Sequence, residues 1–136
     1  MTASTDTQKT LMGSGSDAFV VRHIHITADA SSAEQTTDLV IFDNSAFGAN
    51  TARGRVLALK AWGAECTVQL LWDQSTDSSV GKYAVNIDPM CINFAALGSL
   101  TARNPNGSGA TGDLLLTTTG IGNGDELDVI IVIGQD

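Results

Sequence analysis

His23 and His25 carry the most chemical potential in this sequence, in the run from Phe19 to Thr27. Residues two apart on a strand point to the same face, so an H-x-H pair can hold a metal ion, as it does in cupins. A catalytic zinc or iron centre needs three protein ligands. Asp29 can supply a carboxylate, but no histidine follows His25. The pair therefore reads first as polar residues on a half-exposed strand face at a contact, with a metal site as the weaker alternative. The loop Asp73-Gln-Ser-Thr-Asp77 has calcium-like spacing, yet an EF-hand wants Gly at 78 and an acid at 84, where the chain has Ser78 and Ala84. It reads as an ordinary turn. No G-x-S-x-G supports a serine nucleophile. Glu34, Glu65 and Glu126 stand in no pattern that would pair them as glycosidase acids. Gly120-Ile-Gly-Asn-Gly124 precedes no helix, so it offers a phosphate no helix N-terminus and reads as a hairpin turn. The chain reads as a non-enzyme with no cofactor. Trp62, beside Gly63 at a strand end, is the best candidate for an exposed aromatic platform, whereas Trp72 continues an apolar face and reads as core.

Composition bounds what these residues can serve. The 136 residues fit one domain, and 43% hydrophobic residues suffice for a core. Only 16% are charged, so part of the surface rests on Ser, Thr, Asn and Gly or is covered by a partner. A net charge of −8, with seven scattered Lys and Arg, argues against nucleic acid as a partner. The apolar runs are too short to span a bilayer as helices, and the N-terminal residues do not resemble a signal peptide, so no membrane partner and synthesis in a cytoplasm are expected. Cys66 and Cys91 lack C-x-x-C spacing and read as packed thiols, with a disulfide or a reactive thiol as the alternative. Asn106-Gly107-Ser108 is a formal glycosylation sequon that matters only in a secreted chain.

The elements that must position these groups are short strands. Phe19 to Thr27 is rich in β-branched residues, Leu39 to Phe42 is apolar on both faces, and Arg55 to Trp62 is bracketed by Gly54 and Gly63 at strand length. Cys66 to Asp73 alternates, with Cys66, Val68, Leu70 and Trp72 on one face. Val80 to Asp88 alternates with Tyr83, Val85 and Ile87 inward. Leu114 to Thr118 follows. Leu127 to Ile133 closes the chain, apolar on the face of Leu127, Val129, Ile131 and Ile133 and also at Ile130 and Val132 beside Asp128. That strand is either central to a sandwich or an outer strand covered by another copy. Asp88-Pro89 is a helix start, so residues 89–97 read as a turn or short helix, with a strand through Ile92 and Phe94 as the alternative. Residues 1–17 are polar and Gly/Ser-rich, with Leu11 and Met12 as apolar anchors. They read as a flexible arm that is disordered or orders on a neighbour. The expected fold is all-β, an antiparallel β-sandwich or jelly roll of about seven to eight short strands over residues 18–136 with a flexible N-terminal arm.

The C-terminal part adds a resemblance. Arg103-Asn104-Pro105, the glycine-rich stretch to Gly112, Gly112-Asp113-Leu114-Leu115-Leu116-Thr117-Thr118, then Gly124-Asp125 and a closing apolar strand resemble the capsid decoration, or cement, proteins of tailed bacteriophages, mainly over residues 103–133. That resemblance implies a jelly-roll domain on the outside of the capsid that reinforces it. The implied partners are the major capsid protein and neighbouring copies of the same chain, in a homo-oligomer with a trimer favoured, located on the virion after synthesis in the host cytoplasm. Interface candidates are Leu11, Met12, Trp62, Ile130 and Val132. Two other readings stay open: a carbohydrate-binding or lectin-like module using Trp62 and the loop 73–79, and a cupin-like metal protein using His23 and His25.

Overall fold

The computed structural model describes residues 4–13, 19–28, 34–45, 54–94, 103–105 and 107–134. They form nine strands: β1 (Ser4–Met12), β2 (Phe19–Ala28), β3 (Glu34–Phe42), β4 (Arg55–Trp62), β5 (Cys66–Trp72), β6 (Ser78–Val85), β7 (Met90–Asn93), β8 (Leu114–Thr119) and β9 (Glu126–Gly134). A five-stranded sheet runs β1-β2-β9-β4-β7 and a four-stranded sheet runs β3-β8-β5-β6, with all pairings antiparallel. Among the described strands, β1–β2 and β5–β6 are joined within one sheet, and every other connection crosses between sheets. This is the two-sheet pairing of a jelly roll, with β1 added at one edge.

Period-two alternation explains why the two sheets close on each other. In β5 Cys66, Val68, Leu70 and Trp72 are buried, and in β9 Leu127, Val129, Ile131 and Ile133 are buried. Ile24 and Ile26 of β2, Ile41 and Phe42 of β3, Leu59 of β4 and Leu114 and Leu116 of β8 pack into the same core. Residues directly opposite across an antiparallel pair share a face, so the core side of each strand also fixes which residues look outward. The last strand is central in its sheet, third of five, with Leu127, Val129, Ile131 and Ile133 in the core and Ile130 and Val132 on the sheet's outer face.

Several expectations are corrected. The segment Ser4–Met12 is a paired edge strand of the sandwich and no free arm, with register from Ser4↔Ala28 to Met12↔Val21. Its hold is polar. Arg22 donates to Thr10 Oγ1 at 2.9 Å, to Gln8 Oε1 at 2.6 Å and to the Ile41 carbonyl at 3.0 Å, tying β1 and β3 to β2. No side chain from Asp6 to Met12 is buried, so hydrophobic patterning gives no sign of this strand. Residues 1–3 and 14–17 of the expected arm lie outside those described. Ile87 faces away from the core and is 74% exposed, because β6 ends at Val85. Residues 90–93 are strand β7, paired to β4, while 95–97 lie outside the described residues. The segment 120–124 is no hairpin turn, because β8 and β9 lie in different sheets. It turns through the Asp125 N–H to Gly122 carbonyl bond and is pinned to Ala28 of β2.

Candidate functional site

The outer face of the five-stranded sheet gathers the chemically active side chains. Register places His25 opposite Asp128, His23 opposite Ile130 and Val21 opposite Val132 on the β2–β9 side. On the β9–β4 side Asp128 is opposite Trp62, Ile130 opposite Lys60 and Val132 opposite Ala58. Lys9 of β1 lies opposite His23, and Cys91 of β7 opposite Lys60. Those on β2, β4 and β9 point away from the core, because they alternate with its buried residues, and register sets Lys9 and Cys91 on the same face.

Within this face four titratable groups interlock. His23 Nε2 and His25 Nδ1 both approach Asp128 Oδ1, at 2.9 Å and 2.8 Å, and His25 Nε2 lies 3.2 Å from Glu126 Oε1. An ionised carboxylate only accepts hydrogen bonds, so each ring nitrogen facing one must carry a proton. His25 faces carboxylates with both nitrogens, which is the geometry of an imidazolium. The hydrogen bond to Asp128 raises its pKa above 6.5 against the opposing effect of burial, and Glu126 adds to the rise. Burial pushes the Asp128 carboxyl up, but the hydrogen bonds from His25 and His23 outweigh it and hold the group below its ordinary value. Beside this cluster the Trp62 ring stacks on His23, with centroids 6.2 Å apart and planes within 9°. That separation lies in the offset-stacking range. Lys60 Nζ sits 5.3 Å from the Trp62 ring centroid, within reach of a cation–π attraction.

The local chain explains the placement of Trp62. Gly63 follows it with φ +108, and a Cβ there would stand 2.6 Å from the Glu126 carbonyl oxygen. Only glycine lets β4 turn out of the sheet this close to β9, and the turn leaves Trp62 as the last residue of its strand beside Asp128. Next to this polar end runs a shallow apolar groove of about 310 Å³, at the low end for a small-molecule cleft. Leu57, Lys60, Cys91, Asn93, Ile130 and Val132 line it. At the far end of the face Met12 is 58% and Phe19 41% exposed.

Most sequence-derived candidates thus meet on one surface: His23, His25, Trp62, Ile130 and Val132, with Met12 at its edge. Leu11 sits at the β1 bulge and is exposed. Two constellations do not assemble. The loop 73–79 leaves the opposite end of β5 from Gly63, so it shares no site with Trp62. It is a turn closed by the Gln74 N–H to Asp77 Oδ1 bond at 3.2 Å and tied to Ser108 and Thr111. For the metal reading, Asp29 lies outside the described residues. Among the described ones, no group of three or more His, Cys, Asp or Glu is placed to hold a metal ion. Cys66 is buried in β5 and Cys91 exposed on β7, and both are free thiols. Asp128 and Glu126 are the members of this candidate site that sequence reasoning missed. The alternation of β9 set Asp128 on the face of Ile130 and Val132, but its meeting with a histidine about a hundred residues away needed the β2–β9 register.

No family model matches the sequence, and no curated protein matches it. Among solved structures, similar chains include a cupin 2 domain-containing protein from Halorhodospira halophila, 10% identical with a TM-score of 0.39, where the match covers 96% of this chain and 65% of that one. The Schizosaccharomyces pombe Cnp3 cupin domain is 8% identical with a TM-score of 0.40, over 96% of this chain and 61% of that one. A family 29 carbohydrate-binding module complexed with cellulohexaose is 11% identical with a TM-score of 0.49, over 95% of this chain and 90% of that one. This chain spans less than two thirds of both cupin chains. Likeness at this level speaks to neither activity nor ligand. No helix among the described residues is long and apolar enough to cross a membrane.

Proposed function

We propose that this protein is a non-catalytic binding module that takes a saccharide on the outer face of its five-stranded sheet. The observation that carries the reading is the half-exposed Trp62 ring set beside His23, Asp128, His25 and Glu126 on one sheet surface. A sugar ring offers an apolar C–H face to an aromatic plane and hydroxyls to carboxylates and imidazoles, and this surface supplies both together. Affinity electrophoresis through gels containing soluble polysaccharides tests it. Wild-type protein is retarded, Trp62→Ala is not, and Trp62→Phe is retarded in part. Equal migration of wild type and Trp62→Ala in every polysaccharide counts against the reading.

A second reading follows from the other end of the same face. Met12 and Phe19 are exposed beside Val21, Val132, Leu57 and Ala58, an apolar surface suited to a protein neighbour. Together with the resemblance over residues 103–133, it supports a decoration protein that grips the major capsid protein and copies of itself, a trimer, on the virion surface. Antibody against the protein then labels phage heads in electron micrographs, and Met12→Asp weakens attachment. Heads without label would remove this reading.

A further inference from the structure

The charge around Trp62 names a ligand class, and the inference rests on the saccharide reading just given. The chain carries a net charge of −8, yet the outer face around the tryptophan gathers cations. Lys9 stands on β1 opposite His23, Lys60 on β4 over the Trp62 ring, and His25 on β2 has its imidazole between two carboxylates. The carboxylates facing them are Asp128 and Glu126 of β9, and both are engaged by the imidazoles. Thr7 is opposite His25 on β1 and brings no charge. Asp6 alternates to the other side of its strand. In its protonated state His25 therefore tips this patch to a positive balance within an acidic protein. Lys60 is exposed, and its long side chain can give the ring face to a ligand while its ammonium stays at the rim.

We propose that the ligand is an acidic saccharide, whose sugar ring lies on Trp62 and whose anionic group meets Lys60, and that acid strengthens binding through His25. Loss of the His25 proton turns an unshared pair toward a carboxylate. Glu126, the more exposed of the two acids, is then released as an unpaired negative charge beside the ligand. The balance of the patch falls by one unit, and an anionic sugar is held less well. A neutral glycan meets the cluster through its hydroxyls alone and has no charge for the altered balance to repel, so its binding changes less.

Isothermal titration of the whole protein with polygalacturonate and with hydroxyethylcellulose, between about pH 5.5 and pH 8.5, tests this. Polygalacturonate is expected to bind more tightly, and its affinity to fall by about two- to fivefold across that range, the size of one partly exposed charge pair. Hydroxyethylcellulose is expected to show a shallower slope. Lys60→Gln narrows the ratio between the two ligands, and His25→Gln flattens the slope. Lys82→Gln, on the four-stranded sheet, changes neither, and circular dichroism confirms that each variant is folded. Equal affinity for the acidic and neutral glycans, or a flat profile for the wild type, overturns the inference and leaves the saccharide reading standing. Absence of binding to either glycan removes both.

Discussion

Replacing His25 by Gln asks whether carboxylates hold both of its ring nitrogens in solution. In the folded protein the ring faces Asp128 at 2.8 Å and Glu126 at 3.2 Å. The Asp128 side chain is 21% exposed and that of Glu126 is 62% exposed. Partly exposed pairs contribute roughly 0.2–1 kcal/mol each, so the shorter and more buried contact takes the upper end and the other the lower, about 1 kcal/mol together. In a domain of this size that corresponds to about 3–5 °C in the unfolding midpoint. The sign follows from the direction of the shift. The folded-state pKa of His25 lies above its ordinary value of 6.5, so the stabilisation is fully present below that value and is lost as pH rises through the folded-state pKa. Thermal unfolding of wild type and His25→Gln, followed by far-ultraviolet circular dichroism, then gives a gap of about 1 kcal/mol near pH 5.5 that narrows by about pH 9, where the neutral imidazole keeps a single N–H for Asp128. The lower limit keeps Asp128 ionised, since its own contribution is present above 3.8 and fades as pH falls through its depressed folded-state value. A gap of equal size at both pH values refutes the reasoning, because lost packing alone would produce it. A gap that widens with pH refutes it as well.

Three further outcomes are expected. Gly63→Ala places a Cβ 2.6 Å from the Glu126 carbonyl oxygen at a positive φ, and chemical denaturation should show a loss of about 1–3 kcal/mol; a neutral result would mean that β4 and β9 part more easily than the structure shows. Arg22→Ala removes the donors that tie Thr10 and Gln8 to the sheet, so hydrogen exchange should quicken in Ser4–Met12 while β5 and β8 stay protected, and uniform exchange across all strands would contradict that hold. Burial pushes the Cys66 thiol up to about 11, so at neutral pH a maleimide should label Cys91 quickly and Cys66 only on unfolding, as mass spectrometry of digests would read; equal labelling of both would show that the core opens.

Strand existence was legible wherever one face is buried. Cys66 to Trp72 shows clean alternation, and β4 matches its sequence reading residue for residue because glycines bracket it. β1 was illegible for the same reason in reverse. Its pairing is backbone hydrogen bonding plus Arg22, and its side chains carry no apolar stripe. Ile87 misled because its alternation runs on past the point where the strand ends.

For the candidate site, sequence alone determined the ingredients: two histidines on one strand face, a tryptophan at a strand end before a glycine, and a closing strand with Asp128, Ile130 and Val132 on its second face. Those are consequences of period-two geometry, which is local. Tertiary structure decided that these three strands lie side by side as β2-β9-β4, so that His25, Asp128 and Trp62 fall in one row. It likewise decided that the loop 73–79 lies at the other end of the sandwich. Strand order and register are set by how two sheets fill one core between segments far apart in the chain, and no local pattern carries that information.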